Sequence, residues 1–357
     1  MARDPSPAKV YRNEGVTVQA APRCYLCGDV GTPLYTGLRD RLFDAPGVWS
    51  LLRCPTCALV WLDPRPDPDD IPKLYSQYYT HEPTRSTGGW FAALKALVKR
   101  AVLAGAFGYG SATLRRTERL IGSVLRHITP IRDMAGASVL WVPPPSRGLL
   151  LDVGCGNGEF LMQMRRFGWR VQGVEPDPVA AEHARCSGLD VMPGVLEAAG
   201  LPAQSCDVIT MNHVIEHLAD PLRALEECRR LLTANGWLVL VTPNVASLGH
   251  QWFRRAWRGL EPPRHLFLFS LATLRSSVER AGLTVLSLRT SSKGASFIWE
   301  VSRSLMKRRG ETTRRGVDTN PLVKLQGQAF WIAESVWLTA SQVGEEIVLV
   351  ATAGKAP

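Results

Sequence analysis

The side chains best suited to chemistry lie in a short turn, His213-x-x-Glu216-His217, directly after an apolar segment at residues 206–211. Imidazole and carboxylate groups bind several divalent metal ions, and an imidazole can act as a general base near neutral pH. The spacing also matches the H-x-x-E-H signature of a class of zinc peptidases. That signature requires a long helix, whereas this turn follows a predicted buried strand and an Asp-Pro pair comes soon after it. The context therefore argues against a peptidase.

A glycine-rich loop forms a second candidate site, because it follows an apolar run that ends in Asp152. Gly154, Gly156 and Gly158 let the main chain turn sharply and bring its N–H groups close to a ligand. Such a loop marks the carboxyl end of the first strand of a doubly wound sheet. The glycine spacing differs from the dinucleotide-binding fingerprint. In addition, Asp152 would repel a pyrophosphate and suits a ligand with a cationic end.

The pattern D-x-G-x-G-x-G resembles motif I of class I S-adenosylmethionine-dependent methyltransferases, and the resemblance extends over residues 148–290. It implies an α/β fold with a doubly wound, mostly parallel seven-stranded sheet, in which strand seven runs antiparallel between strands five and six. Glu175 ends the second strand, where an acid accepts hydrogen bonds from ribose hydroxyls. The cofactor-binding residues implied by the resemblance are Asp152, Gly154, Cys155, Gly156, Glu175, Pro176, Val195, Leu196 and Asn212.

Hydrophobic periodicity predicts the elements that position these residues. We expect helices at residues 159–167, 180–186, 222–232 and 270–281, and strands at 169–174, 189–192, 206–211, 236–244, 282–288 and 345–351.

The turn after strand four resembles the E-x-x-E-H turn of ubiquinone-pathway O-methyltransferases and small-RNA 2′-O-methyltransferases, in which acids and histidine bind a divalent metal. His213 replaces the first glutamate of that pattern. The small-RNA enzymes add a later histidine, for which His265 is the candidate, on a predicted loop over the active-site face. The catalytic candidates are thus His213, Glu216, His217 and His265. Three roles stay open for them: general base or substrate orientation, metal ligation, and simple structural capping.

Two Cys-x-x-Cys pairs, Cys24 with Cys27 and Cys54 with Cys57, predict a structural zinc ribbon over residues 20–62. Each pair forms a tight turn whose thiolates converge, and four thiolates provide the tetrahedral site that Zn²⁺ prefers. The alternatives are a redox pair or a turn that has lost its metal.

The remaining segments support these sites. Residues 63–147 are predicted to form a proline-rich linker (62–72) with Tyr75, Tyr78 and Tyr79 after it, and then a helical cap. The helical pattern at 90–131 leaves open contact with a membrane surface or a lipid-linked substrate. In residues 291–357, a basic run at 303–315 and an apolar helix at 322–338 precede the last strand. This insertion is expected to cover the substrate side or to form a dimer contact, and the oligomeric state stays open.

Composition excludes several classes of protein. The chain has 357 residues and a net charge of +10, but its charges are scattered, so a nucleic-acid partner is not expected. It has neither an apolar run of membrane-spanning length nor a signal peptide, which predicts a cytoplasmic protein. The ribbon and the methyltransferase pattern together resemble bacterial zinc-ribbon methyltransferases that modify sugars. They imply transfer from S-adenosylmethionine to an O or C atom of a small, carbohydrate-type acceptor. RNA or another polyanion as partner, and a metal-dependent hydrolase, remain the alternatives.

Overall fold

The computed structural model describes residues 10–75, 90–110, 115–144, 148–307 and 320–354. Its first part contains two small antiparallel sheets. Buried tryptophans hold the larger sheet together, because Trp49 and Trp61, on neighbouring strands, are both fully buried. The strands are β1 (Val10–Asn13), β2 (Val16–Gln19), β3 (Thr32–Leu38), β4 (Trp49–Arg53), β5 (Val60–Asp63) and β6 (Arg65–Pro66).

The proline-rich segment 62–72 is ordered secondary structure rather than the stiff linker that its composition predicts. It contains the end of β5, the edge strand β6, a 3₁₀ turn capped by the Asp67 side chain, and the start of α1 (Ile71–Tyr75). Prolines are tolerated there because edge strands and first helical turns do not need their missing N–H groups. Asp70 also accepts a hydrogen bond from the main-chain N–H of Thr17 (2.7 Å), which fixes the segment to β2. Tyr78 and Tyr79 lie outside the described residues.

The predicted helical region forms three helices that pack on one face of the central sheet. Val102, Leu103 and Val139 from this region share a buried cluster with Leu150 and Val191 of the sheet. Among the helices of the described ranges, none is both long and apolar enough to cross a bilayer. The three helices are α2 (Trp90–Phe107), α3 (Arg116–Leu125) and α4 (Thr129–Ser138).

The central sheet has seven strands in the order β13-β14-β11-β10-β7-β8-β9. Strand β14 is antiparallel to both of its neighbours, and the other pairings are parallel, which confirms the predicted fold class. The elements, in chain order, are β7 (Leu149–Val153), α5 (Glu159–Arg166), β8 (Arg170–Glu175), α6 (Pro178–Cys186), β9 (Val191–Pro193), β10 (Cys206–Asn212), α7 (Pro221–Leu231), β11 (Leu232–Pro243), α8 (Leu248–Phe253), β12 (Phe267–Leu268), α9 (Leu271–Arg280), β13 (Thr284–Ser291), α10 (Ala295–Lys307), α11 (Pro321–Ser341) and β14 (Glu346–Thr352).

One strand joins the two parts of the molecule. Strand β12 pairs with β5, so that Phe267 lies opposite Trp61 and the N-terminal sheet has the order β12-β5-β4-β3. Residues of both parts accordingly share one large apolar cluster.

The insertion between β13 and β14 contributes α10 and α11, and α11 packs against α10, α4 and β13. The predicted apolar helix at 322–338 lies within α11, whereas most of the basic run lies outside the described residues.

Candidate functional site

The glycine loop forms a tight turn at the carboxyl end of β7. Gly154 donates its N–H to the carbonyl of Val174 on β8 (2.7 Å), which joins the loop to the neighbouring strand. Gly154 and Gly156 have φ values of 70° and 54°, in the left-handed region that favours glycine. A Cβ atom on Gly154 would meet Val214 at 2.6 Å, whereas one on Gly156 would meet no atom within 4 Å. The main chain at Gly156 therefore borders open space, as a ligand-binding loop requires.

Two acids flank this loop. Glu175 accepts hydrogen bonds from the N–H groups of Gly156 (2.7 Å) and Asp177 (2.9 Å), so it ties the loop to the end of β8. Asp152 is buried and accepts a hydrogen bond from Thr210 Oγ1 (2.6 Å). Burial raises the pKa of Asp152 to about 7 against the lowering effect of the hydrogen bond from Thr210, and the nearby charge of Glu175 adds a smaller increase. A cationic ligand would favour its ionised form.

The other predicted cofactor residues differ in what they can offer. The Cys155 thiol is buried under β8, and burial raises its pKa, so only its main chain can reach a ligand. Leu196 points into the core, whereas Val195 is 52% exposed and Pro176 follows Glu175 directly. Asn212 ends β10, and its buried Oδ1 has no hydrogen-bond partner among the described residues.

His213 follows β10 and lies between two carboxylates. Its Nδ1 is 3.3 Å from Glu216 Oε1, and its Nε2 is 3.1 Å from Glu346 Oε1. Although 37% of the side chain is exposed, the surrounding protein alone would lower its pKa. The bonds and charges of the two carboxylates overcome this effect and raise the pKa to about 10. An imidazolium can neither accept a proton nor bind a metal, which does not fit the predicted roles of His213 as general base or ligand.

Glu216, His217 and His265 converge behind this turn, each with one potential ligand atom within 4.8 Å of the others. His217 Nδ1 is 3.0 Å from the carbonyl of Arg264, and His265 Nδ1 is 2.8 Å from that of Gly259. Because a carbonyl only accepts, both Nδ1 atoms carry a proton, and in the neutral ring this leaves the lone pair on Nε2. Backbone partners of this kind orient metal-binding histidines. The donor set thus fits a divalent cation, with three ligands instead of the four of the resembled pattern.

The sequence predicts a loop at 257–264 leading to His265. The structure places His265 outside the helices and strands, but the residues leading to it are mostly buried. The side chain of His265 is 4% exposed, and burial lowers its pKa to about 4, so the ring is neutral. Next to it, Arg264 bonds to Asp40 (2.8 Å) and Glu261 (3.0 Å) in an ion network with no access to solvent. Asp40 and Glu261 are not among the residues predicted from the sequence, although the closely spaced charges of residues 257–264 are a signal for such a network.

The four cysteines of the N-terminal part form a cluster. Cys24 Sγ lies 3.4 Å from Cys57 Sγ, and Cys27 Sγ lies 3.3 Å from Cys54 Sγ and 3.8 Å from Cys57 Sγ. Tetrahedral ligands about 2.3 Å from a zinc ion are separated by about 3.8 Å, so the thiols fit Zn²⁺. All four are free of disulfide bonds. Against the effect of burial, hydrogen bonds from the main-chain N–H of Cys57 and from the Cys27 thiol lower the pKa of Cys54 to about 7.

Comparison with known proteins agrees with this geometry. A family model described as a methyltransferase domain matches residues 131–288. A ubiquinone biosynthesis O-methyltransferase of Cereibacter sphaeroides is 38% identical over 130 residues, which cover 32% of this chain and 53% of the relative. The corresponding protein of Roseobacter denitrificans is 38% identical over 120 residues, which cover 32% and 46%. The chain thus spans about half the length of these curated relatives.

Among solved structures, an S-adenosylmethionine-dependent methyltransferase from Mesorhizobium loti covers 62% of this chain and 97% of its own, at 14% identity and a TM-score of 0.43. The family match, the strand order and the motif I loop together show that this chain carries a class I S-adenosylmethionine-dependent methyltransferase domain.

Proposed function

We propose that the protein transfers a methyl group from S-adenosylmethionine to a hydroxyl oxygen of a small molecule. The observation that carries the proposal is the pairing of Glu175 with Gly156 at the open side of the glycine loop. The names of the curated relatives, which are O-methyltransferases, support oxygen as the acceptor atom. The carbohydrate-type acceptor and the cytoplasmic location stay predictions from the sequence.

Residue positions match the needs of such a transfer. S-adenosylmethionine, when bound, supplies a methyl group whose carbon–sulfur bond breaks as the bond from the acceptor oxygen to carbon forms. Glu175 would hold the ribose, the loop at Gly156 the methionine part, and Asp152 would favour the cationic end. Orienting the two reactants provides much of the acceleration in an in-line displacement of this kind. The chain must also take up the proton that leaves the acceptor hydroxyl.

His217 and His265 are the groups that would take up this proton, because Nδ1 of each donates to a carbonyl, which in the neutral ring leaves the lone pair on Nε2. The Glu216 carboxylate beside them would stabilise the imidazolium that results. Burial lowers the pKa of His265, whereas His217 is only half-buried and lies beside Tyr75 (3.1 Å from Nδ1 to the hydroxyl). We therefore assign the base to His217, with His265 as its positioning residue. If the three groups bind a divalent cation instead, its chemistry is to lower the pKa of the hydroxyl.

Methyl transfer from labelled S-adenosylmethionine to a panel of phenols and sugars tests the proposal. Wild-type protein should label at least one hydroxyl compound, and His217→Asn should lower the rate by about 10²–10⁴-fold, the contribution typical of a general base. His183→Asn on the exposed surface of α6 serves as the matched control and should keep full activity. Failure of the wild-type protein to bind S-adenosylhomocysteine, the product of the donor, would contradict the proposal.

Metal analysis separates the two roles of the histidines. Metal bound in proportion to protein beyond the Cys cluster, and lost in His217→Asn but retained in His183→Asn, would assign the three residues to ligation. No metal beyond the Cys cluster would assign His217 to proton transfer.

A further inference from the structure

A cluster of carboxylates lies beside the end of β10, and the proposed methyl transfer assigns it no role. Glu346 begins β14 and Glu345 directly precedes it, and Glu334 on α11 lies close enough to both for their charges to act on it. Strand β14 is antiparallel, so its first residues lie at the edge of the sheet where the parallel strands end. Glu346 is joined to His213 at that edge. We call Glu334, Glu345 and Glu346 the carboxylate cluster.

The members of this cluster differ in the number of hydrogen bonds that their carboxyl oxygens accept. Glu345 accepts hydrogen bonds from Ser247 Oγ (3.1 Å), the N–H of Gly249 (2.8 Å) and Trp257 Nε1 (2.8 Å), which gives it a structural role.

In Glu334, by contrast, neither carboxyl oxygen makes a hydrogen bond of good geometry with any described residue, although its side chain is fully buried. The same holds for Oε2 of Glu346. Burial and the neighbouring carboxylates raise the pKa of Glu334 to about 9, against a partial contribution from the main chain of Glu345. Without a ligand, Glu334 is thus a neutral acid at neutral pH, and a cationic ligand beside it would favour its ionised form. Oε2 of Glu346, at the edge where β10 ends, lacks a donor among the described residues, which native proteins avoid unless a ligand supplies one.

We propose that the carboxylate cluster binds an ammonium group of the methyl acceptor, so that the substrate is a small hydroxylated amine. This inference rests on the proposed O-methyl transfer and names the class of its acceptor. An ammonium group carries both the positive charge that would keep Glu334 ionised and several N–H donors for its oxygens and for Oε2 of Glu346.

A metal ion suits the carboxylate cluster less well, because its ligands must converge on one point. Within the described part of the chain, the side chains that converge in this way are the four cysteines and the Glu216–His217–His265 group. The carboxylate cluster is not among them.

The ammonium group of S-adenosylmethionine itself is also an unsuitable occupant. Strand β14 lies three strand positions from β7, which carries the glycine loop, and this separation amounts to about 14 Å. The cofactor binds at the ends of β7 and β8, so the carboxylate cluster lies on the acceptor side of His213.

Calorimetric titration with benzylamine and with benzyl alcohol, its neutral analogue of similar size, tests the inference at neutral pH. The two probes are compared on the full chain with and without S-adenosylhomocysteine. We expect benzylamine to bind at least about tenfold more tightly. Glu334→Gln should remove this preference, and Glu300→Gln on the neighbouring helix α10, a matched control, should keep it. If Glu334→Gln does not fold, Glu346→Gln should show the same loss.

Equal binding of the two probes would overturn the inference, as would a preference that survives in Glu334→Gln. The affinity for S-adenosylhomocysteine decides between the two sources of an ammonium group. It should stay within about threefold of the wild-type value in Glu334→Gln. A larger loss, with benzylamine binding intact, would assign the cluster to the cofactor and overturn the inference. Failure of the wild-type protein to bind S-adenosylhomocysteine would contradict the proposed function, while the comparison of the probes would still decide on the ammonium site.

Discussion

Replacement of Glu175 by glutamine probes the cofactor site with little change in shape. The carboxylate accepts hydrogen bonds from the N–H groups of both Gly156 and Asp177, and a carboxylate oxygen can accept more than one hydrogen bond, so a ribose hydroxyl can bind beside them. Glutamine has one oxygen, so its NH₂ group must face one of the two N–H donors, and the charge is lost. A hydrogen bond to a charged group contributes about 1.5–3 kcal/mol. Loss of one such bond to the ligand should therefore weaken S-adenosylhomocysteine binding by about 10- to 150-fold.

Isothermal titration of Glu175→Gln against the wild-type protein measures this change. Glu182→Gln on α6 is the matched control, because its side chain is 63% exposed and lies away from the glycine loop. Circular dichroism checks that both variants keep the fold. A change in affinity of less than about threefold in Glu175→Gln would refute the assignment of this carboxylate to the ligand.

Three further substitutions test the N-terminal part. Cys24→Ser should lose about one equivalent of zinc per chain in elemental analysis, and retention of the metal would contradict the four-thiolate site. Ala58 has a φ of 63°, in the left-handed region, so Ala58→Gly should relieve strain and stabilise the fold by about 0.5–1 kcal/mol in thermal unfolding. A fall in the melting temperature would argue against strain at this position. Contacts with Lys73 and Thr17 lower the pKa of Asp70 to about 2 from 3.8. The stability that Asp70 provides is thus present above pH 3.8 and lost as the pH falls through about 2. The melting temperature of Asp70→Asn should therefore lie below that of the wild type at neutral pH, and the two should converge in acid.

Local patterns predicted the central sheet well, because its signals lie within short stretches of chain. The acid and glycines of the loop around Gly156 indicate a strand followed by a helix wherever they occur. The strand order then follows from the family that the loop resembles. The elements at Leu232–Pro243 and Val191–Pro193 are displaced by only a few residues from their predicted bounds, as is usual for the ends of regular elements.

Contacts between distant parts of the chain could not be predicted in this way. Proline content suggested a linker at 62–72, but the side chain of Asp70 and the pairing of β6 hold this segment in place. The protonated state of His213 depends on Glu346, which is 133 residues away in the sequence. The raised pKa of Glu334 likewise depends on Glu345 and Glu346 at β14, a strand that follows its helix α11 in the sequence. In each case a tertiary contact decides the chemistry of a residue whose local sequence is unremarkable.

The N-terminal sheet supports the candidate site directly, through three links close to His265. Strand β12, which begins two residues after His265, is an edge strand of the N-terminal sheet, and the N–H of Leu62 donates to the carbonyl of Leu266 (3.0 Å). Asp40 pairs with Arg264, whose carbonyl orients His217. Removal of one partner from a buried ion pair costs about 3–5 kcal/mol, so loss of these links would displace both histidines as well as destabilise the fold. A structural metal in the Cys cluster would therefore affect methyl transfer without touching either substrate.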